Sequence, residues 1–179
     1  MEAERTIRLI DLYEGNGMLE LLALQMAAYV KEAEMIGLTD IPPLLESPAS
    51  VRSRGEAHYG LYEDNQLAGA VSLKLEHGGL GRLEMAPALR ICRLMVHPAH
   101  LRRGVASRLI RYAIAAGQAE EAKYLTVSAV SVNEAALALY SRFGFITLAQ
   151  HAAVHGLTLN EMLLEIDRCE DAYSSPGTV

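Results

Sequence analysis

The chain reads as an α/β fold in which a mixed β-sheet carries helices on both faces. Three observations predict this. Apolar runs bounded by turn residues form a group of strands in the first half, over Glu56–Tyr62, Leu67–Leu75 and Leu89–Val96. From Leu89 onward strand and helix patterns alternate, which puts helices over a sheet. With 179 residues, 51% hydrophobic and 21% charged, the composition suits one packed core rather than disorder.

The elements follow in order. Thr6–Leu12 alternates as a first strand. Asn16 is placed to cap a helix whose stripe runs through Leu19, Leu22, Met26, Tyr29 or Val30, and Ala33, with Gly37 as its stop. Pro42 and Pro43 break the chain, and Ser47–Arg54 is a short second helix with Ser47 as cap and Pro48 in its first turn. Glu63-Asp64-Asn65 is turn chemistry joining two strands into a hairpin, and Gly78–Gly81 is a loop. After the strand ending near Pro98 comes a helix with Val105, Leu109, Tyr112 or Ala113, and Ala116 on one face. Tyr124–Val130 is rich in strand formers, and Asn133–Phe143 is helical up to Gly144. Phe145–Val154 and Leu157–Ile166 form a closing hairpin around Gly156. Residues 1–170 are expected to form one domain. The tail over 171–179, with Ser174, Ser175, Pro176 and Gly177, is expected to fray.

Composition excludes several classes. The net charge of −6 argues against a nucleic-acid partner, which requires a basic footprint. Cys92 and Cys169 are too few for a disulfide framework, and no spacing suits a metal site. Met1–Arg8 has no apolar signal-peptide core, and Met18–Val30 is too short for a bilayer and contains Glu20 and Gln25. No membrane partner is expected, and the expected location is cytoplasmic.

The chemistry concentrates in two segments. In the first, Leu94-Met95-Val96-His97-Pro98 leads through Leu101-Arg102-Arg103-Gly104 into the helix opened by Val105-Ala106-Ser107. A helix start exposes unpaired N–H groups and the positive end of the helix dipole. Small residues at Gly104 and Ala106 let a phosphate come close, and Arg102, Arg103 and Arg108 add positive potential. Taken alone, the segment also reads as an ordinary strand–helix connection. It is neither a Walker loop nor the dinucleotide fingerprint. In the second segment, Asn133 opens a helix and Ala136 or Leu137 and Tyr140 share its face. Alone, Asn133 reads as a cap and Tyr140 as a half-buried core residue.

Together the two segments resemble motifs A and B of the GNAT superfamily of N-acetyltransferases. Val96, Pro98, Gly104 and Ala106 match motif A, with Leu101 where the family usually has Arg or Gln. Asn133, Ala136, Tyr140, Gly144 and Phe145 match motif B. The resemblance implies a mostly antiparallel central sheet of six to seven strands with about four helices. It implies acetyl-CoA as co-substrate and no metal. The pyrophosphate would rest on N–H groups of Arg102, Arg103, Gly104, Val105, Ala106 and Ser107. The pantetheine arm would pair with the backbone of Leu94, Met95 and Val96, and Asn133, Ala136 and Tyr140 would complete the site. Tyr140 would protonate the departing thiolate. A neutral amine would attack directly, with an oxyanion donor near Val96 and Cys92 an inert buried thiol rather than a nucleophile.

Glu76, His77 and Glu84 are candidates for the base, and His97 and His100 flank the phosphate turn. Glu32, Glu34, Asp40 and Glu46 are placed to form an acidic rim that attracts an amine. The expected acceptor is a small-molecule amine, amino-acid-like in character, and a homodimer is left open. Acetylation of a protein lysine or N-terminus, a non-catalytic acyl-CoA-binding module and a nucleotide-binding regulatory domain are the competing readings.

Overall fold

The computed structural model describes residues 4–37, 42–77, 87–153 and 156–166, without the side chains of residues 36 and 42. The expected Gly78–Gly81 loop, Asp40, Glu84, Cys169 and the tail lie outside the described residues. The element order is β1 (Arg5–Leu9), α1 (Gly17–Ile36), a 3-10 turn (Pro42–Leu45), α2 (Pro48–Ser53), β2 (Ala57–Glu63) and β3 (Gln66–His77). There follow β4 (Pro87–Val96), a second 3-10 turn (Pro98–His100), α3 (Val105–Ala119), β5 (Tyr124–Val130), α4 (Glu134–Arg142), β6 (Ile146–Ala152) and β7 (Thr158–Glu165). The seven strands form one sheet in the order β1-β2-β3-β4-β5-β7-β6. Every pairing is antiparallel except β4 with β5. Among the described residues this is the arrangement that the resemblance implies: a seven-stranded mixed, mostly antiparallel sheet with four α-helices.

Local chemistry sets most of the boundaries. Asp64 and Asn65 both take positive φ, 47° and 66°, which is the two-residue turn that matches the twist of a hairpin. Ser47 caps α2 through a capping box, Ser50 N–H donating to Ser47 Oγ at 3.2 Å and Ser47 N–H to Ser50 Oγ at 3.0 Å. Gly37 ends α1 in the left-handed region at φ 73°. Asn16 does occupy the N-cap of α1, but its side chain makes no capping bond. The neighbouring turn is held by Asp11 instead, which accepts from the N–H groups of Tyr13 and Glu14.

The stripe expected on α1 is corrected in part. Ala33 is buried and Leu22 and Tyr29 pack against the core, but Leu19 (68% exposed), Met26 (51%) and Val30 (41%) face out, and Met18, Leu21 and Leu24 are buried in their place. The helix is apolar on both sides, so spacing alone left two stripes open. Buried Gln25 breaks the tie: its amide donates to Pro43 O and Glu46 and accepts from Arg93.

Two clusters of buried side chains flank the sheet. One joins α1 and α2 through Leu21, Leu24 and Val51 to Ile10, Ala70 and Met95. The other joins α3 and α4 through Leu109, Ile110, Ala113 and Tyr140 to Leu89, Ile91, Leu125 and Val127. Arg111 of α3 lies over the Phe143 ring beside α4, 5.6 Å from its centroid. A close approach at Gly69 seats α3: a Cβ there would stand 2.6 Å from a Val105 methyl and 2.7 Å from Met95 O. Among the described residues no helix is long and apolar enough to cross a membrane.

Candidate active site

A bulge in β4 organises the site. Ser72 pairs with Arg93 and Leu73 with Ile91, so Cys92 is an extra residue on β4. An extra residue reverses which side chains face which side. Leu89 and Ile91 pack in the α3 cluster, whereas Arg93 meets Gln25 of α1 and Met95 lies in the α1 cluster. Pairing with β5 stops at the same place, the last partners being Ile91 and Val127. Beyond them β4 and β5 diverge, while β5 stays paired with β7 through Val130.

The divergence leaves one edge of β4 unpaired. His97 N–H donates to Ala68 O at 2.9 Å, so residues 97, 95 and 93 turn their backbone groups toward β3. Leu94 and Val96 therefore turn theirs toward the gap. Met95 differs from both: its side chain is buried against α1 and its backbone faces β3. The gap holds a cavity of about 340 Å³ lined by Ile91, Leu94, Val127, Ser128, Ala136 and Tyr140, among others.

On the α3 side the cavity meets a cleft of about 430 Å³, with Ala136 in both walls. Val96, Leu101, Arg102, Gly104, Val105, Ala106 and Ser107 line this cleft on one side, and Ala135, Leu139 and Arg142 on the other. The turn into α3 uses positive φ at Arg102 (62°) and Gly104 (80°). The helical ladder starts with Arg108 N–H donating to Gly104 O at 3.1 Å, so the amides of Val105, Ala106 and Ser107 open onto the turn. No carboxylate is among the described residues lining the cleft, and His100, Arg102 and Arg142 supply its cationic or titratable groups. Arg142 was not singled out in the sequence, where it sits among the variable positions of the motif.

Arg103 is employed elsewhere. Its guanidinium pairs with Glu63 at 3.2 Å, and the same carboxylate takes Arg5 at 2.6 Å and His100 Nδ1 at 2.8 Å. Burial would raise the Glu63 carboxyl, but His100, Arg5 and Arg103 outweigh it and hold the group below its ordinary value. Arg103 thus anchors the turn from behind, leaving Arg102 and Arg142 as the arginines at the cleft. His97 is also used locally, its Nδ1 accepting from Ala99 N–H at 3.2 Å.

Asn133 serves both as cap and as bridge. Its Oδ1 accepts from Ala136 N–H at 3.1 Å, and its Nδ2 donates to Glu32 Oε1 at 2.9 Å, tying α1 to α4 across the cavity. Tyr140 lies below, 5% exposed, its ring 5.5 Å from that of Phe145. Burial and the Glu32 charge push the Tyr140 phenol well above its ordinary value. Tyr29, half-buried on the same cavity, is pushed up by burial and by Glu32. Glu32 pairs with no cation within 4 Å among the described residues.

The opposite side of the cavity opens to a second cleft of about 410 Å³, with Tyr29, Pro43, Cys92 and Arg93 in both walls. Its charges are Glu46, Glu56, Glu76, Arg54, Lys74, Arg90 and Arg93. Arg93 is held by Glu46, by Glu56 at 3.0 Å and by Gln25 at 2.7 Å, so Glu46 lines the cleft as a counter-ion whose charge Arg93 already offsets. Glu76 and His77 belong to β3, paired with Ala88 and Pro87. Burial raises the Cys92 thiol to about 11, so it stays protonated near neutrality. No metal-binding group of three or more ligands occurs among the described residues.

Comparison with known proteins agrees with this fold. The protein UPF0157 YqkA of Bacillus subtilis (strain 168) is 32% identical over 141 residues, covering 79% of this chain and 38% of that protein. The chain therefore spans under two-fifths of this relative's length. The ribosomal-protein-S18-alanine N-acetyltransferase of Escherichia coli superposes with a TM-score of 0.69 at 16% identity, covering 96% of this chain and 100% of that one. Salmonella typhimurium yncA, solved with acetyl-CoA, gives 0.63 at 19% identity, covering 98% and 99%. At these identities the likeness to the solved structures is one of fold. The model of the acetyltransferase (GNAT) family matches residues 18–145, and the chain belongs to that family.

Proposed function

We propose that the protein transfers an acetyl group from acetyl-CoA to a primary amine on a small, amino-acid-like molecule. One observation carries this reading: the cavity at the fork of the sheet shares wall residues with a cleft at a helix N-terminus that has no carboxylate among its described lining residues, and with a charged cleft on the other face. The first suits a diphosphate and the second a polar acceptor. The residues present fit acetyl-CoA. Gly104 has nothing within 4 Å of where a Cβ would stand, so a phosphate can reach the amides of Val105, Ala106 and Ser107. The unpaired backbone groups of Leu94 and Val96 suit an extended amide-bearing arm. When bound, acetyl-CoA supplies the activated acyl group.

The chain's own residues do the rest. Glu32 gives the cavity a carboxylate with no paired cation among the described residues, which favours entry of an ammonium group. A β4 amide facing the gap, from Leu94 or Val96, is placed to donate to the developing oxyanion, a contact worth about 2.7–4 kcal/mol in hydrolases. Tyr140, a phenol that burial and Glu32 push further above neutrality, carries its proton on the α4 wall of the cavity, which supports it as the donor to the departing sulfur. The half-buried, protonated Cys92 supports direct attack rather than an acyl-enzyme. The test is a screen of small amines and amine-bearing peptides with detection of free CoA thiol. Turnover with small amines supports the reading, turnover confined to peptides replaces the acceptor class, and CoA binding without thiol release from any acceptor rejects catalysis.

A further inference from the structure

Glu161 is a buried carboxylate, 9% exposed, whose Oε2 has no hydrogen-bond partner among the described residues. A half-satisfied buried carboxylate is costly and calls for an explanation. Its other oxygen, Oε1, accepts from Ser128 Oγ at 2.8 Å. Ser128 is the first β5 residue after pairing with β4 ends, and it lines the cavity at the fork. Arg90 Nη2 donates to the same hydroxyl at 2.8 Å and lies 3.9 Å from Glu161 Oε1. A second carboxylate, Glu76, stands 4.0 Å from Arg90 Nη1.

The sides of the sheet matter here. Leu125, Val127 and Ala129 face the α3 and α4 cluster, so Ser128 faces the other way by strand alternation. Arg90 does likewise, lying between Leu89 and Ile91. Ser128 and Tyr140 thus approach the fork from opposite faces. The Ser128 hydroxyl has one hydrogen, given to Glu161, and two lone pairs, one taken by Arg90. The remaining lone pair is free to accept an N–H from the cavity.

We propose that Ser128 and Glu161 form the proton-accepting relay for the acceptor, on the face opposite Tyr140. The proposal rests on the acetyl-transfer reading and supplies the base that reading lacks. An ammonium N–H proton passes to Ser128 Oγ as the Ser128 proton passes to Glu161 Oε1, leaving a neutral amine and a protonated carboxyl. The amine lone pair forms the C–N bond at the thioester carbonyl, and the C–S bond breaks. The sulfur takes the Tyr140 proton, and the nitrogen's second surplus proton returns to the Tyr140 oxygen. Glu161 releases its proton to solvent before the next turnover.

The test compares two acceptors at near-neutral pH: an alkylamine, present as ammonium, and an alkoxyamine, already neutral. Ser128→Ala and Glu161→Gln are expected to lose about 10²-fold in kcat/KM with the alkylamine, the low end for general base help. Both should stay within a few-fold of wild type with the alkoxyamine and should bind CoA normally. Equal losses with the two acceptors would assign the pair a structural role, and unchanged rates with the alkylamine would remove it from the reaction. If Glu161→Gln fails to fold, Ser128→Ala decides alone, since it removes one hydroxyl. The alkylamine is the best acceptor found in the amine screen and the alkoxyamine its oxygen-substituted analogue. If no acceptor of that screen releases thiol with wild-type protein, the transfer reading itself is overturned, a result separate from failure of the relay.

Discussion

Replacing Gly104 by Ala separates the cost of a backbone conformation from the cost of a blocked ligand. Gly104 sits at φ 80° and has open space where a Cβ would point. The substitution therefore meets no atom of the protein, and its cost to the free fold is left-handed strain of about 1–2 kcal/mol. At roughly 2–4 °C of melting temperature per kcal/mol for a chain this size, the free protein should melt about 2–8 °C lower. Gly15 supplies the control, at φ 66° with nothing within 4 Å. Gly15→Ala should cost the same stability, because the physics of the backbone is the same. CoA affinity should differ between the two. A methyl at Gly104 enters the cleft lined by the α3 amides, where a phosphate must come within hydrogen-bond distance. Losing even one good charge-assisted contact of about 1.5–3 kcal/mol weakens binding roughly 10- to 150-fold. Titration calorimetry with CoA and thermal melts on both variants provide the assay. Wild-type affinity in Gly104→Ala, or an equal loss in Gly15→Ala, would refute the assignment of the turn. Gly104→Glu adds like charge to the same place and should abolish measurable binding.

Other changes probe the remaining parts. Tyr140→Phe should lower kcat about 10²-fold with CoA affinity unchanged, and an unaltered kcat would take the phenol out of the mechanism. Cys92→Ala should keep turnover within about threefold, since a thiol with a pKa near 11 contributes no thiolate near neutrality. Loss of activity with normal folding would reinstate a nucleophile. Glu63→Gln should lower thermal stability at neutral pH and loosen the phosphate turn, because Arg5, His100 and Arg103 lose their shared carboxylate. The pH dependence has a definite sign. The folded Glu63 pKa lies below its unfolded value, so its contribution is complete above about pH 5 and lost as pH falls through the folded value. The gap between wild type and Glu63→Gln should close in acid, and a gap that widens there would contradict the ion cluster.

Features set by contiguous residues could be read from the sequence. Asn133, Tyr140 and Gly144 lie within one helix and its stop, and the structure places Asn133 as the cap and Tyr140 on the cavity. The Asp64-Asn65 hairpin and the Ser47 cap are equally local. What the sequence hid depends on distant partners. The Arg103 side chain looked like free positive potential for a phosphate because Glu63, its counter-ion, lies forty positions earlier on another strand. The buried face of α1 is decided by Gln25 meeting Arg93 on the α1 side of the sheet, which outweighs the apolar surface of Leu19, Met26 and Val30. Ser128 and Glu161 carry no motif, and only the β5–β7 register brings them opposite each other.

The extra residue at Cys92 links these facts. Without it, strict alternation along β4 would send Arg93 into the α3 cluster with Leu89 and Ile91, where neither Glu46 nor Glu56 could reach it. The sheet would then also lack its local reason to part, because a bulge bends and twists its own strand away from one neighbour. Parting is what acyl transfer from a long thioester requires of a sheet. The donor needs one face for its phosphates, the acceptor needs the other for its charge, and the reacting carbon must be reached from both. A fork between two parallel strands is a passage through the sheet whose walls are backbone amides, so it connects the faces while supplying donors for the developing oxyanion. On the proposed reading the labour divides the same way: Tyr140 on the α4 side exchanges protons with sulfur and the newly acylated nitrogen, and Ser128, held by Arg90 on the other side, takes the first proton from the incoming ammonium.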